Sequence, residues 1–399
     1  MTEQKTAHNW RFWPVIVLVF IFGFSSPLII FAAPIYFLQQ GVEIIIISIL
    51  STALTITYSI SPLILNKFSN KLGRRKSVII AMIGATLAEL IFYVTLNPII
   101  FIFERLFEGF ILGFFFPNLQ ASISDNIYID HKKYLANFNL SWGIAGVFGV
   151  LFGAIFLQFV NDLRILFYIN PIFLFTNVIV AIIFFQEPNN YKQVSPKNEF
   201  DEINIENNES WLEVVRFYIP VIIPLLLILG VSFASGNGTL LYPIKSVILG
   251  YHASSTYFLM VFAIITQSFA TYLSNLIGIK KTKLLSSFTL LVYAVLFIIF
   301  VFNESFLVFV FLFAFSGVFY GILYGLASNL ILNLNIIKKT SIYSSILESS
   351  MGLFFFISQI ILGLAADIDV NIAYMTLSIM LIFIFIINLV FLRNFKERC

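Results

Sequence analysis

The sequence predicts an all-α membrane protein with twelve transmembrane helices in two six-helix halves. Three observations predict it. The first is composition: 60% of the 399 residues are hydrophobic and 11% charged, with a mean hydropathy of +0.97, where soluble domains carry roughly 25% charged residues. The second is a series of twelve apolar runs, each near the roughly 20 residues a helix needs to cross a bilayer. The third is the placement of Lys and Arg on alternate connections, always on the same side.

The orientation follows from the loop 66–76, Asn66-Lys-Phe-Ser-Asn-Lys-Leu-Gly-Arg-Arg-Lys76. It holds five bases (Lys67, Lys71, Arg74, Arg75 and Lys76) between the apolar runs Val42 to Leu65 and Ser77 to Leu96. A short basic loop between two spans stays in the cytoplasm. Threaded from it, the spans fall at 13–38, 42–65, 77–96, 98–120, 138–160 and 165–185, then 218–242, 254–277, 284–302, 304–330, 344–366 and 370–392. Both termini are then expected in the cytoplasm. Of 23 Lys and Arg, only Arg105, Arg164 and Lys245 fall in a span or on the outer side. The first run, Trp13 to Leu38, is too long for the apolar region of a signal peptide.

Three segments are expected: residues 1–185 as the first six-span half, 186–217 as a cytoplasmic linker, and 218–399 as the second half. The linker carries seven acids against three bases and little apolar surface, which predicts a flexible connection; its end, Trp211 to Phe217, has the composition of an interfacial helix. An internal repeat runs at an offset of 208 residues. Gly109 and Gly113 in span four match Gly317 and Gly321 in span ten, and the basic loop 66–76 matches Gly278-Ile-Lys-Lys-Thr-Lys283. Two parallel six-span halves with a binding site at the midplane is a transporter architecture.

The loop 66–76 resembles the loop 2–3 signature of the major facilitator superfamily, Gly-x-Leu-Ala-Asp-Arg-x-Gly-Arg-Lys. Gly73 and Arg74 match, Lys71 takes the place of the first Arg, and Arg75 stands where Lys or Arg is usual. Asn66 and Asn70 depart from the pattern, standing where Gly and Asp are usual. The twelve-span layout extends the resemblance over the whole chain. It implies that this loop locks one state of the transport cycle, and marks Asn70, Gly73, Arg74 and Asp125 as gating residues. Gly73 permits a tight turn with positive φ, and Arg74 can bond a carboxylate bidentately, Asp125 at the end of span four being the expected partner. A purely topogenic role for these bases is the plainer alternative.

Span four carries Glu104-Arg105-Leu-Phe-Glu108-Gly109 in an apolar setting. Arg105 followed by Gly109 and Gly113 is similar to the superfamily's span-four pattern, which that resemblance links to proton coupling. Arg105 and Glu108, at i and i+3, can pair, and Glu89 in span three lies at a similar depth. Charges inside a membrane are costly and mark function by default, so Glu108, Arg105 and Glu89 are the proton-coupling candidates. Glu104 is nearer the interface, and outward snorkelling is an open alternative for it.

Span five holds Gly143, Gly146, Gly149 and Gly153 at spacings that let another helix approach closely. Gly149-x-x-x-Gly153 resembles the core of the span-five pattern of the superfamily's exporters, without its Pro and with Ala154 in place of a Gly. Span seven contains Gly236-Asn-Gly238, which predicts a break or kink. Spans one, four, seven and ten line the cavity in this superfamily, which makes Asn237, Tyr320, Tyr324 and Asn329 the cavity candidates. Glu348 opens span eleven as a helix cap or a gating residue.

These features give the expectation of a secondary active transporter, a proton-coupled exporter of a small polar or amphipathic molecule across the cell membrane. At whole-chain level, including Asn9-Trp-Arg-Phe-Trp-Pro14, the chain is similar to exporters of opine-type metallophores, with Arg105 and Lys245 as carboxylate partners for such a cargo. A multidrug efflux pump and a nutrient importer of the same fold are the alternatives. The expected partners are a small-molecule substrate, protons and the lipid bilayer, with no nucleic acid, and the chain is expected to act as a monomer. No catalytic constellation is present, one Cys and three scattered His offer no metal-ligand spacing, and no enzyme activity, cofactor or metal is expected.

Overall fold

Residues 11–124, 131–160, 162–187, 217–218, 220–275, 277, 279–338, 342–393 and 396–397 are described by a computed structural model. The linker residues 188–216, Asp125 and both chain ends lie outside them. Among the described residues, eleven helices are long and apolar enough to cross a membrane. They begin with Trp13–Gln39, Ile44–Leu72 and Arg74–Tyr93, the last made of the α-helix Arg74–Glu89 and a 3₁₀ turn, then His131–Phe159 and Arg164–Ile183. After the linker come Ile222–Ile248, Ala253–Asn275, Ile279–Phe302, Phe306–Lys338, Ile342–Ile368 and Val370–Leu392.

The remaining predicted span, span four, is two shorter helices, Pro98–Leu112 and Phe116–Ser124. The sequence explains both ends of the first piece. Asn97 caps it, its side chain accepting from the N–H groups of Ile99 and Ile100, and Pro98 sits in the first turn, where a missing N–H is harmless. Four residues before Pro117, Gly113 would have to accept the bond that proline cannot donate. The chain tightens instead, with Gly113, Phe114 and Phe115 each donating to the carbonyl three residues back, as a 3₁₀ turn does.

Span seven also departs from expectation. Gly236-Asn-Gly238 does not break the helix. Residues Asn237–Leu241 form a π turn between Ile222–Gly236 and Tyr242–Ile248. A widened turn keeps the backbone groups bonded, which a true break inside a membrane would not. One further correction is small: Phe217–Tyr218 pairs antiparallel with Lys396–Glu397, so Phe217 is extended, and the described residues hold no other strand.

The chain forms two compact units, residues 1–36 with 53–198, and residues 37–52 with 199–399. In the first, span three packs on spans four and six, and a core of Val19, Phe22, Met82, Ala85, Phe115 and Leu119 is closed to solvent or nearly so. In the second, span ten packs on span eight, and span nine on span twelve.

Glycines explain the closest helix contacts, and they repeat. A Cβ on Gly109 would run into the Leu54 carbonyl and the Thr57 hydroxyl of span two. A Cβ on Gly317 would run into the Ala263 carbonyl and the Thr266 hydroxyl of span eight. The glycine correspondence seen in the sequence is thus a packing correspondence, each glycine admitting a carbonyl and a threonine of the helix two spans before it in its own unit. Gly149 of span five does the same against the Phe24 carbonyl of span one.

Candidate functional site: a buried arginine among three glutamates

Arg105 of span four is enclosed in the first unit. Its Nη1 donates to Glu108, one turn along the same helix. Its Nη2 lies 3.6 Å from a Glu89 oxygen on span three, and its Nε 3.3 Å from a Glu104 oxygen. Three nitrogens of one planar fork thus face three different carboxylates, a geometry open to Arg and not to Lys. The four residues are 1–7% exposed. Glu104 at 6% does not snorkel outward.

The surroundings fix the cluster. Asn170 of span six donates through Nδ2 to both Glu89 oxygens at 2.7 and 2.8 Å. The guanidinium lies 5.4 Å from the Phe101 ring and 6.0 Å from the Phe92 ring, close enough for cation–π attraction. Carboxylate oxygens of Glu89, Glu104 and Glu108 come within 4.8 Å of one another. Such oxygens are a ligand type for hard cations, but the guanidinium already supplies the positive charge among them. Asn170 was not anticipated from the sequence. An Asn in an apolar span was the available signal, without its partner.

The basic loop has different partners from those expected. Gly73 has φ +91° and precedes the helix Arg74–Glu89. The Glu187 carboxylate accepts from the backbone N–H of Arg74 at 2.7 Å and of Arg75 at 2.9 Å, and a Cβ on Gly73 would sit 3.0 Å from both its oxygens. Arg75 also donates to the Ile182 carbonyl. Glu187, from the end of span six, thus caps span three. The Arg74 guanidinium reaches Asn70 and Asn118, each at 3.2 Å, and Ser69 donates to the same Asn118 oxygen. Asp125, the expected partner, lies outside the described residues.

In the second unit the cavity candidates divide. Asn237 is 1% exposed and accepts from the Tyr374 hydroxyl at 3.0 Å, so it faces the interior of its own unit. Beside it Gln359 donates to Thr239 at 2.9 Å. Tyr320 and Tyr324 are half-buried with stacked rings 6.5 Å apart, and Asn329 donates to the Ile277 carbonyl. Lys245 is buried, donating to the Phe300 and Val301 carbonyls at the end of span nine and to Asn371. It neutralises a helix C-terminus.

The family model of the Major Facilitator Superfamily matches residues 15–335. The chain belongs to this superfamily. No curated protein matches it. Among solved structures it is similar to a bacterial homolog of the human lysosomal transporter Spinster, in an inward-facing and occupied conformation, with TM-score 0.72 and 12% identity over 96% of both chains. It is also similar to the nucleoside transporter NupG, with TM-score 0.69 and 13% identity over 95% of this chain and 99% of that one. A POT family transporter in complex with a thioalcohol-conjugated peptide gives TM-score 0.69 and 13% identity over 96% of both. At these identities the likeness is one of fold. The chain is a membrane transporter of the major facilitator type.

The Glu187 brace gives a test in this major facilitator chain. Losing a side-chain cap costs about 0.5–2 kcal/mol. Glu187→Ala is expected to lower the unfolding temperature of the purified protein, and Glu187→Gln, which keeps one acceptor oxygen, to recover part of the loss. Unchanged melting of both variants would remove Glu187 as a structural brace.

Proposed function

We propose that this transporter is a proton-coupled exporter of a small amphipathic molecule across the cell membrane, with both termini in the cytoplasm. The observation that carries the reading is the Arg105 cluster. Three carboxylates around one guanidinium leave two excess negative charges if all are ionised, and uncompensated charge in an enclosed site is expensive. The cluster therefore holds protons, and how many it holds depends on where Arg105 points. Rocking of the two six-span halves shifts Arg105 among its three partners and so takes up and releases protons once per cycle. The close approach of spans one and five at Gly149, in a stretch that resembles the core of the exporters' span-five pattern without its Pro, supports export.

The specific cargo proposed from the whole-chain likeness is an opine-type metallophore, staphylopine. A multidrug cargo is the second reading, and one observation favours it: Arg105 and Lys245, the expected carboxylate partners, are both engaged inside their own units, so neither is free for an acidic cargo. Inside-out vesicles holding the protein test the function. With an acidified lumen they are expected to accumulate metal-free staphylopine, or ethidium on the second reading, and to stop when a protonophore collapses the gradient. Accumulation of either that ignores the gradient would overturn proton coupling.

A further inference from the structure

We propose that Glu104 carries the resident proton of the Arg105 cluster and that Asn170 keeps Glu89 ionised, so that the exchanging proton passes between Glu104 and Glu108. The inference rests on the reading above that this cluster handles protons. It names the carboxyl group that holds one and the residue that selects it.

The three glutamates are not equivalent. Glu89 has Asn170 Nδ2 donating to both its oxygens, at 2.7 and 2.8 Å, and Arg105 Nη2 at 3.6 Å. Donated hydrogen bonds favour the ionised form of a carboxyl group. Glu108 accepts directly from Arg105 Nη1. Glu104 has neither kind of support. Its Oε2 lies 3.3 Å from Arg105 Nε, but that N–H is not aimed at it. Among the described residues no donor serves either Glu104 oxygen. Its side chain is 2% exposed, so it is closed to bulk solvent. A buried carboxylate without a donor is costly, and such a site holds the neutral acid instead.

Charge balance and spacing agree with this assignment. The cluster has two excess negative charges when all three carboxyl groups are ionised, and a proton on Glu104 leaves one. The charged and titratable groups facing Glu104 are Arg105 and Glu108 on its own span and Glu89 on span three, while Asn170 of span six is neutral. Glu104 and Glu108, at i and i+4, share a face, and oxygens of the three glutamates come within 4.8 Å of one another. When Arg105 swings from Glu108 toward Glu104, the Glu104 O–H bond breaks and its electron pair stays on the Glu104 oxygen. The proton forms the new O–H bond on Glu108. Arg105 thereby exchanges one ionised partner for another, and the proton crosses one helical turn. Asn170 acts through Glu89 and is a positioning residue. Without its two bonds Glu89 becomes a rival site for the proton.

Infrared spectra of the full-length protein in nanodiscs, at neutral pH without cargo or a gradient, locate the proton. Acids elsewhere cancel in the difference between wild type and variant. Glu104→Gln exchanges a neutral acid for a neutral amide of the same shape. It is expected to lose the carbonyl stretch of one protonated, deuterium-sensitive carboxylic acid. Glu89→Gln is expected to keep that band. Asn170→Leu is expected to gain a second one from Glu89, and the double variant Asn170→Leu/Glu89→Gln to lose the gain. Asn170→Ser, which also removes the amide, serves in the same way should the leucine protein fail to fold. An unchanged acid band in Glu104→Gln, its loss in Glu89→Gln, or no added band in a folded Asn170 variant would overturn the assignment. Coupling is read separately. The Glu104 band in a protein whose accumulation ignores the gradient would overturn the coupling and leave this assignment standing. Gradient-driven accumulation by a wild type without the band would do the reverse.

Discussion

Glu108→Gln is expected to abolish transport driven by a pH gradient while leaving equilibrium binding of the cargo unchanged. The glutamine carbonyl still accepts from Arg105 Nη1, where the glutamate oxygen does now, so shape and hydrogen bonding survive. It cannot take up or release a proton. Arg105 would then have one fewer partner whose charge answers its movement, and the gradient would have no grip on the rocking of the halves. Arg105→Lys is the companion variant. It keeps the charge but collapses three bonding directions into one ammonium, leaving at least two buried glutamates without their partner. Stranding one member of a buried pair costs about 3–5 kcal/mol, so this protein is expected to be both slower and less stable. The measurement is accumulation in acid-lumen vesicles with binding measured in parallel. Full gradient-driven accumulation by Glu108→Gln would remove Glu108 from the mechanism and make Glu89 the next residue to vary.

Gly109→Ala and Gly317→Ala are each expected to lower the unfolding temperature sharply, and the corresponding valines to prevent recovery of monodisperse protein. At both positions the new Cβ meets a backbone carbonyl and a threonine hydroxyl of the neighbouring helix. Backbone cannot rotate aside, so the helices must separate, and overpacking of this kind costs about 1–3 kcal/mol or more. Gly238→Ala is the control, since its Cβ meets only the end of the flexible Met260 side chain. It should melt near the wild type. Equal melting of all three alanine variants would show that the close approach of spans two and four, and of eight and ten, contributes nothing to stability.

Most of the fold was legible because membrane spans are written as length and apolarity, and orientation as the position of Lys and Arg. The repeat was legible because a glycine that admits a neighbouring helix leaves the same trace wherever the packing recurs. Local backbone chemistry was harder. Gly113 and Pro117 carried the signal for the division of span four, yet the run reads as continuous by hydropathy. Gly236 and Gly238 look like a break, and only the bonding of a π turn keeps the helix whole. The Arg105 cluster was half legible. Helical spacing brings Glu108 to Arg105, but it cannot say that span three faces them or that Asn170 holds Glu89. The same limit hid Glu187, which in sequence is one acid among seven at the start of the linker.

On the proposed function, protons and cargo are expected to move in opposite directions through one obligatory cycle. The most direct test follows both fluxes at once in proteoliposomes, radiolabelled cargo (metal-free staphylopine, with ethidium for the second reading) against an enclosed pH dye, with the membrane potential clamped. Each cargo molecule leaving is expected to be matched by protons entering at a fixed ratio, and Glu108→Gln is expected to abolish that exchange. Wild-type cargo flux down its own gradient with no accompanying proton movement would contradict the account.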